Sequence, residues 1–426
     1  MIVLTLLILT LTCIQTYPLL LALIRFLLLS YQPYTVSLGF FRDQNSIFLI
    51  ILTFWLTLIL NTINTPSAIL FTINCMNIIL ILFFSTPSLL ILYIIFETSL
   101  IPIFLVILLW GYQPERHPAS FYLIFYIVTA SLPLFASIIL SSSLGFSSFL
   151  SSKTFQMTWL LSLTLVLAFL VKLPLFFTHL WLIKAHVEAP VQGSIILAAL
   201  LLKTGGYGII RVLVSCKIPS KLTTIIMTWS LVGACFISLV CAFQTDIKQL
   251  IALSSVAHIG IMSAALFSRT LTGLWGALII IVGHGFSSSG LFFAANRVYI
   301  SSKTRRIKIL KRVASLSPFI LAPWFLLAIS NIAAPPSLNT LGEIYAIFAL
   351  INFTNLNFRI IAILVFFATV YSLTLFNRVT HKKQINYLPL SFIEGDKTLT
   401  LFLHWFPVFL LVSKIRDFFY CSLKLK

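Results

Sequence analysis

Acidic residues are scarce in this chain: nine Asp and Glu among 426 residues, against 28 Lys and Arg. All charged residues together make up 9% of the sequence, where a soluble domain carries about a quarter. That shortage, beside a 60% hydrophobic composition, excludes an ordinary soluble globular domain. Cysteine is sparse too. The six cysteines (Cys13, Cys75, Cys216, Cys235, Cys241, Cys421) show no C-x-x-C spacing, so neither an iron–sulfur cluster nor a zinc site is encoded. They read as small packing residues within helices. Strand-type alternation is absent, which excludes a membrane barrel. No basic region precedes the apolar stretch starting at Ile2, so the first segment is expected to be retained as a membrane helix.

Long apolar runs are what remains. They cover approximately 2–29, 44–61, 67–86, 88–110, 119–141, 156–187 with a break, 192–214, 222–243, 248–268, 271–295, 314–352 with a break, 357–378 and 399–414. Most are long enough to cross a bilayer as helices, which takes about 20 residues. The fold expected is an all-α polytopic membrane protein of about 13 (13–14) transmembrane helices.

The net charge of +19 follows from this class. Basic residues cluster in loops, most densely at Arg297, Lys303, Arg305, Arg306, Lys308, Lys311 and Arg312, then at Arg378, Lys382 and Lys383. Loops alternate sides, so Arg116, Lys248 and both clusters share one face. The opposite face has only scattered cations such as Lys153, Lys217, Lys221 and Arg269. The richer face is the inside, cytoplasmic or matrix. No aromatic pattern suited to base stacking interleaves with these clusters, so nucleic acid is not an expected partner.

Two spans are interrupted by proline. The first runs Phe169-Leu-Val-Lys172-Leu-Pro174-Leu-Phe-Phe-Thr-His179 and continues to His186-Val-Glu188-Ala-Pro190. The second runs Ser330-Asn-Ile-Ala-Ala-Pro335-Pro336-Ser-Leu-Asn-Thr-Leu-Gly-Glu343. Proline removes a backbone donor and clashes with the preceding turn, so both spans should be broken near membrane depth, their freed carbonyls needing water or polar partners. Broken helices at matching places in two halves point to inverted repeats with ion sites at the midplane. The expected organisation is residues 1–66 as N-terminal helices, 67–214 and 222–378 as two inverted-repeat half-channels broken near Pro174 and Pro335, and 379–426 as a C-terminal loop and helix.

The candidate site is a series of titratable groups inside apolar segments: Glu97, Lys172, Lys203, His258, His284 and Glu343. A charge at the centre of a membrane helix costs roughly 2.5–3.5 kcal/mol on insertion scales, so each must face protein or a water-filled path. A Glu97–Lys172 ion pair would tune neighbouring proton affinities by forming and breaking, and Lys203, His258 and His284 are of the residue types proton carriers need. Each has a plainer role open to it: a structural ion pair, or a histidine bonded to a backbone carbonyl across a helix contact. His179 and His186 either cap the broken helix or join the relay. The glycine-rich stretches at Gly283-His-Gly285 and Gly205-Gly206-Tyr-Gly208 follow no strand and lack nucleotide-loop spacing, so they serve packing, and no cofactor is expected in this chain.

Several segments resemble one family closely. Phe96-Glu97-Thr-Ser-Leu-Ile-Pro102, Trp110-Gly-Tyr-Gln-Pro-Glu-Arg116, Val171-Lys172-Leu-Pro174, Ala185-His-Val-Glu-Ala-Pro190 and Leu202-Lys203-Thr-Gly-Gly-Tyr-Gly208 are similar to motifs of the antiporter-like subunits of NADH–ubiquinone oxidoreductase. Asp246-Ile-Lys-Gln-Leu-Ile-Ala-Leu-Ser-Ser255 with His258, and Pro335 to Glu343, fit as well. The His-Val-Glu-Ala-Pro and Gly-Gly-Tyr-Gly wording favours the chain 4 type over chains 2 and 5. The resemblance covers about residues 88–345. Ile183 stands where that family usually has proline, Thr204 replaces a leucine, and the N-terminus is shorter by about one helix.

The resemblance implies a proton-pumping module in a respiratory membrane arm, in the mitochondrial inner membrane with the 297–312 and 378–383 loops on the matrix side. It implies that Glu97 pairs with Lys172, that Lys203 is the central lysine, that His258 and His284 form the middle relay, and that Glu343 is the terminal glutamate. It further implies chains 2 and 5 as neighbours, lipid around them, and NADH, FMN, iron–sulfur clusters and ubiquinone elsewhere in the complex. A Mrp-type cation/proton antiporter subunit and a non-pumping structural spacer are the competing functions.

Overall fold

The computed structural model describes residues 36–37, 40–41, 44–63, 66–143, 155–302, 304–307, 318–353, 355–380 and 396–414. The expected helix within 2–29 lies outside these, as do the 308–317 and 381–395 loops. In chain order the helices are α1 Gln44–Thr62, α2 Ser67–Ser85, α3 Leu89–Thr98, α4 Leu100–Trp110 and α5 Arg116–Ser143. The first broken span follows as α6 Trp159–Lys172 and α7 Leu180–Glu188. Next come α8 Val191–Ile196, a π-helical stretch Leu197–Leu201 and α9 Leu202–Ser215, which together make one span. Then α10 Ser220–Ala242, α11 Ile247–Phe267 and α12 Leu271–Ser302 cross in turn. The second broken span is α13 Pro318–Asn331 and α14 Leu338–Ile351, followed by α15 Asn355–Thr380 and α16 Asp396–Ser413. Two-residue strands pair only at β1 Val36–Ser37 with β2 Phe40–Phe41, and at β3 Phe155–Gln156 with β4 Cys216–Lys217.

Among the described residues nine helices are long and apolar enough to cross a membrane, and Trp159–Lys172, Leu321–Asn331, Leu338–Ile351 and Thr398–Ser413 are shorter apolar helices. Two spans differ from the expected continuous helix. The 88–110 run bends at Ser99, between α3 and α4. The 192–214 run carries the π-helical stretch one residue before Lys203.

Burial sorts the helices into layers. The hydropathic windows of Val191–Ser215, Ile247–Phe267 and Leu271–Ile300 are 100% buried, while that of Ser67–Ser85 is 39% buried. The outer helices turn Phe71, Phe125, Leu160 and Phe366 outward, each more than half exposed. In lipid those side chains lose nothing by exposure, and helices associate through close packing and polar contacts instead. The three central spans carry Lys203, His258 and His284, so the costly groups sit where protein encloses them.

Both breaks occur where proline predicts them, at 173–179 and 332–337. Each contains a non-glycine residue with positive φ, Phe177 at 75° and Ala333 at 60°. Left-handed backbone costs such residues roughly 1–2 kcal/mol, which the surrounding packing must offset. Each break also has a side chain that takes up a freed carbonyl. Trp181 Nε1 donates to Val171 O at 3.1 Å, and Asn339 Nδ2 donates to Ser330 O at 2.8 Å. Gly283 makes room for the second, because a Cβ there would stand 2.3 Å from Asn339 Oδ1.

The two faces follow from loop contacts. Ile307 N donates to Thr245 O at 2.7 Å, Arg305 Nη1 donates to Val187 O at 3.0 Å, and Tyr112 meets Tyr299 at 6.4 Å between ring centres. One face therefore gathers residues 304–307 with the ends of α4, α7 and α12. The β3–β4 pair and Arg269, which donates to Ile218 O, mark the other.

Candidate functional site

Lys172 ends α6 at the first break and is 1% exposed. Its Nζ donates to Phe96 O and to Ser99 Oγ, both at 3.1 Å, and lies 3.5 Å from the centre of the Phe96 ring. The turn at Ser99 between α3 and α4 provides these partners. Glu97 is on the same turn and acts on Lys172 electrostatically, but no ion pair within 4 Å or hydrogen bond joins the two. Glu97 Oε1 is buried without a hydrogen-bond partner. The first pole is thus a buried ammonium held by a carbonyl, a hydroxyl and a ring face, with a carboxylate acting on it, rather than a closed salt bridge.

Lys203 lies near the middle of its span and is 2% exposed. The π-helical stretch shifts the carbonyl register just before it, and Nζ donates to Ala198 O at 2.9 Å. Single π-turns inside α-helices recur at functional sites because they free a carbonyl and redirect a side chain. α9 packs tightly on α6 here, and a Cβ at Gly208 would stand 2.2 Å from the Phe169 ring.

His284 on α12 is 2% exposed, and neither ring nitrogen has a hydrogen-bond partner. The Lys203 charge reaches it, and its ring centre is 5.2 Å from that of His258 on α11. His258 Nδ1 meets Glu343 Oε1 of α14 at 3.0 Å, and Tyr371 Oη of α15 lies 3.4 Å from His258 Nε2. Among the described residues the His258–Glu343 pair is the one acid–base contact within 4 Å that joins two membrane helices. Glu343 lies toward the opposite face: its neighbour Gly342 packs on Ile280, and Ala346 packs on Gly276, near the start of α12.

His284, His258 and Glu343 therefore form one contiguous group across α12, α11 and α14, Lys203 acts on it through its charge from α9, and Glu97 and Lys172 are a separate pole at the first break. The geometry also separates the two histidines of the broken span. His186 is fully buried, stacks on Phe292 with ring centres 4.5 Å apart, and has neither nitrogen bonded. It lies within the field of both Lys203 and Lys248. His179 is partly exposed and stacks on Phe176 instead.

Three participants were not legible as such. Lys248 was expected as a cation of the basic face, yet it is 5% exposed and donates to Ala189 O at 3.0 Å. Its position in the first turn of α11, just after Asp246, was the available signal. Beside it, buried Glu188 lines a cavity of about 200 Å³ with Glu115, Lys184 and Gln249. Tyr371 had no local signal. Arg211, buried at 6%, donates to the Tyr207 hydroxyl, which donates to Phe84 O at 2.9 Å. Among the described residues no cluster of three or more His, Cys, Asp or Glu could hold a metal ion.

Buried lysines and histidines on adjoining helices, flanked by two broken spans, define a membrane protein built to carry cations through its interior, and residues 86–371 match the transmembrane family of NADH:quinone oxidoreductases and Mrp antiporters, to which the chain belongs. Within that family it groups with the chain 4 proteins. It is 42% identical over 397 residues to NADH-ubiquinone oxidoreductase chain 4 of Ceratitis capitata, covering 89% of each chain. The same fold is found in a chain of respiratory complex I from Thermus thermophilus with bound NADH, with a TM-score of 0.87 at 20% identity over 96% of this chain and 93% of that one. A chain of the Mrp complex from a Dietzia species is similar at a TM-score of 0.83 and 13% identity, over 99% and 95% of the two chains.

Proposed function

We infer that this chain is a proton-translocating membrane-arm subunit of NADH:ubiquinone oxidoreductase, moving protons through its buried Glu, Lys and His groups while quinone is reduced elsewhere in the complex. The observation that carries the reading is the His258–Glu343 contact at 3.0 Å, with the His284 ring 5.2 Å from His258 and within the field of Lys203 at mid-span. Histidine beside a carboxylate can hold or yield a proton near neutral pH, and such groups inside a membrane mark proton relays.

The direction of the path follows from the two faces. A proton reaching the cavity at Glu188 passes Lys248 and His186 to Lys203, then His284, then the His258–Glu343 pair, which lies toward the opposite face. The basic loops make the Glu188 end the inside, which is the matrix in a mitochondrial inner membrane. Glu97 and Lys172 serve as the coupling pole at the first break: moving the ammonium toward the carboxylate withdraws it from Phe96 O and Ser99 and changes the field along the path. Residues 67–214 and 222–378 are then two halves, each with its broken helix. Chains 2 and 5 are the neighbours in the arm. NADH, FMN, iron–sulfur clusters and ubiquinone belong to other subunits.

The test is Lys203→Ala in the assembled complex, reconstituted in vesicles, with protons moved per NADH oxidised as the readout. A lower ratio in a fully assembled complex is the expected result, and an unchanged ratio sinks the reading. A stand-alone antiporter would instead be recovered in an assembly that oxidises no NADH.

A further inference from the structure

We propose that Tyr371 is a positioning residue for His258, and that one water held between Tyr371 and Asn331 fixes the direction of its hydroxyl. The inference rests on the relay reading above and extends it to groups outside that relay. A cavity of about 10 Å³, room for one water, lies among α11, α12, α13 and α15 on the basic-face side of His258. Its walls include Tyr371, Asn331, Ser254 and Ser372.

The lining is mostly apolar, with a few polar atoms able to hold a water. Asn331 is 3% exposed and its Oδ1 has no hydrogen-bond partner. It is the last residue of α13, at the edge of the second break. The Ser254 and Ser372 hydroxyls already donate to Ile251 O and Ala368 O, so in this cavity they can only accept. A buried water needs at least two polar partners, and in the proposed arrangement Asn331 Oδ1 and the phenol oxygen accept its two protons.

The proposed directions form one chain. Asn331 Oδ1 takes one water proton, and the phenol oxygen takes the other. The phenol proton is left to point at His258 Nε2, 3.4 Å away. With Nε2 accepting, the neutral imidazole carries its proton on Nδ1, facing Glu343 Oε1. Tyr371 thereby selects the tautomer that presents a proton to the terminal glutamate, as the orienting partner of a catalytic or metal-bound histidine does elsewhere. The titratable groups around His258 are Glu343, His284 and Tyr371, and Cys241 of α10 stands beside Tyr371.

The first test is an electron cryomicroscopy map of the intact complex that resolves waters. One density within hydrogen-bond distance of both Asn331 Oδ1 and Tyr371 Oη is expected, absent in Asn331→Leu, and a dry cavity overturns the proposal. The second is Tyr371→Phe, which keeps the ring and removes only the hydroxyl. Coupled turnover should fall roughly five- to tenfold, the order of one buried hydrogen bond. The pH profile of coupled turnover should also move, which a purely structural role would not cause. An unmoved profile while Lys203→Ala still stops pumping overturns this proposal alone. Pumping that survives Lys203→Ala overturns the relay reading instead.

Discussion

His258 and Glu343 lie 85 residues apart in the chain and meet at 3.0 Å between Nδ1 and Oε1. Each comes from a different part of the second half, His258 from mid-α11 and Glu343 from just past the break that separates α13 from α14. The break is what lets the carboxylate enter the bundle at this depth. A continuous helix would place a different residue opposite the histidine.

Replacing Glu343 by Gln keeps the shape and one acceptor but removes the charge. A hydrogen bond to a charged group is worth about 1.5–3 kcal/mol, so coupled turnover should fall on the order of tenfold or more. Proton movement per NADH in vesicles is the measurement. Equal ratios in Glu343→Gln and the parent would reduce the pair to a structural contact.

The ammonium of Lys172 is held by Phe96 O and Ser99 Oγ, with Glu97 acting at longer range. Ser99→Ala should therefore slow coupled turnover to a degree comparable with Glu97→Gln, by disturbing the resting position of the lysine. A silent Ser99→Ala beside a severe Glu97→Gln would show that direct pairing dominates. Initial rates of NADH-driven proton uptake decide between them.

Gly208 faces the Phe169 ring, which a Cβ would approach to 2.2 Å. Overpacking of this kind costs about 1–3 kcal/mol, and Gly208→Ala should lower the thermal denaturation midpoint of the purified complex. Shrinking the obstacle with Phe169→Leu should recover most of that loss in the double variant. Equal midpoints for Gly208→Ala and the double variant would refute this contact as the cause.

Trp181 and Asn339 each take up a carbonyl that a proline break releases. Trp181→Phe leaves Val171 O without a donor, at a cost of about 1–3 kcal/mol, and Asn339→Leu leaves Ser330 O only the 3.3 Å bond from Ala333 N, a smaller loss. Amide hydrogen exchange should rise locally, at 173–179 in the first variant and at 332–337 in the second. A uniform change across both breaks would argue against local capping.

Much of the architecture was readable along the chain because its causes are local. Proline at 174 and 335 falls where both helices break, although Pro133, Pro323 and Pro407 stay inside continuous helices. Apolar runs between polar loops mark spans because the solvation cost of an exposed peptide group in lipid leaves few alternatives. The turn at Ser99 had a local signal in Pro102, which removes the donor for Thr98 O, but the π-helical stretch before Lys203 had none and depends on what packs against it.

The candidate site divides in the same way. That Glu97, Lys172, Lys203, His258, His284 and Glu343 lie inside apolar segments is a property of sequence alone, because the cost of burying a charge is set residue by residue. Which of them meet was decided by tertiary structure. The Tyr371–His258 contact spans 113 residues, and Lys172 reaches back 76 residues to Phe96 O. Lys248 resembled a surface cation until packing carried it beneath Ala189 O. A hydrogen bond needs its two atoms within about 3 Å, and that proximity arises from the stacking of separate helices, which no local pattern encodes.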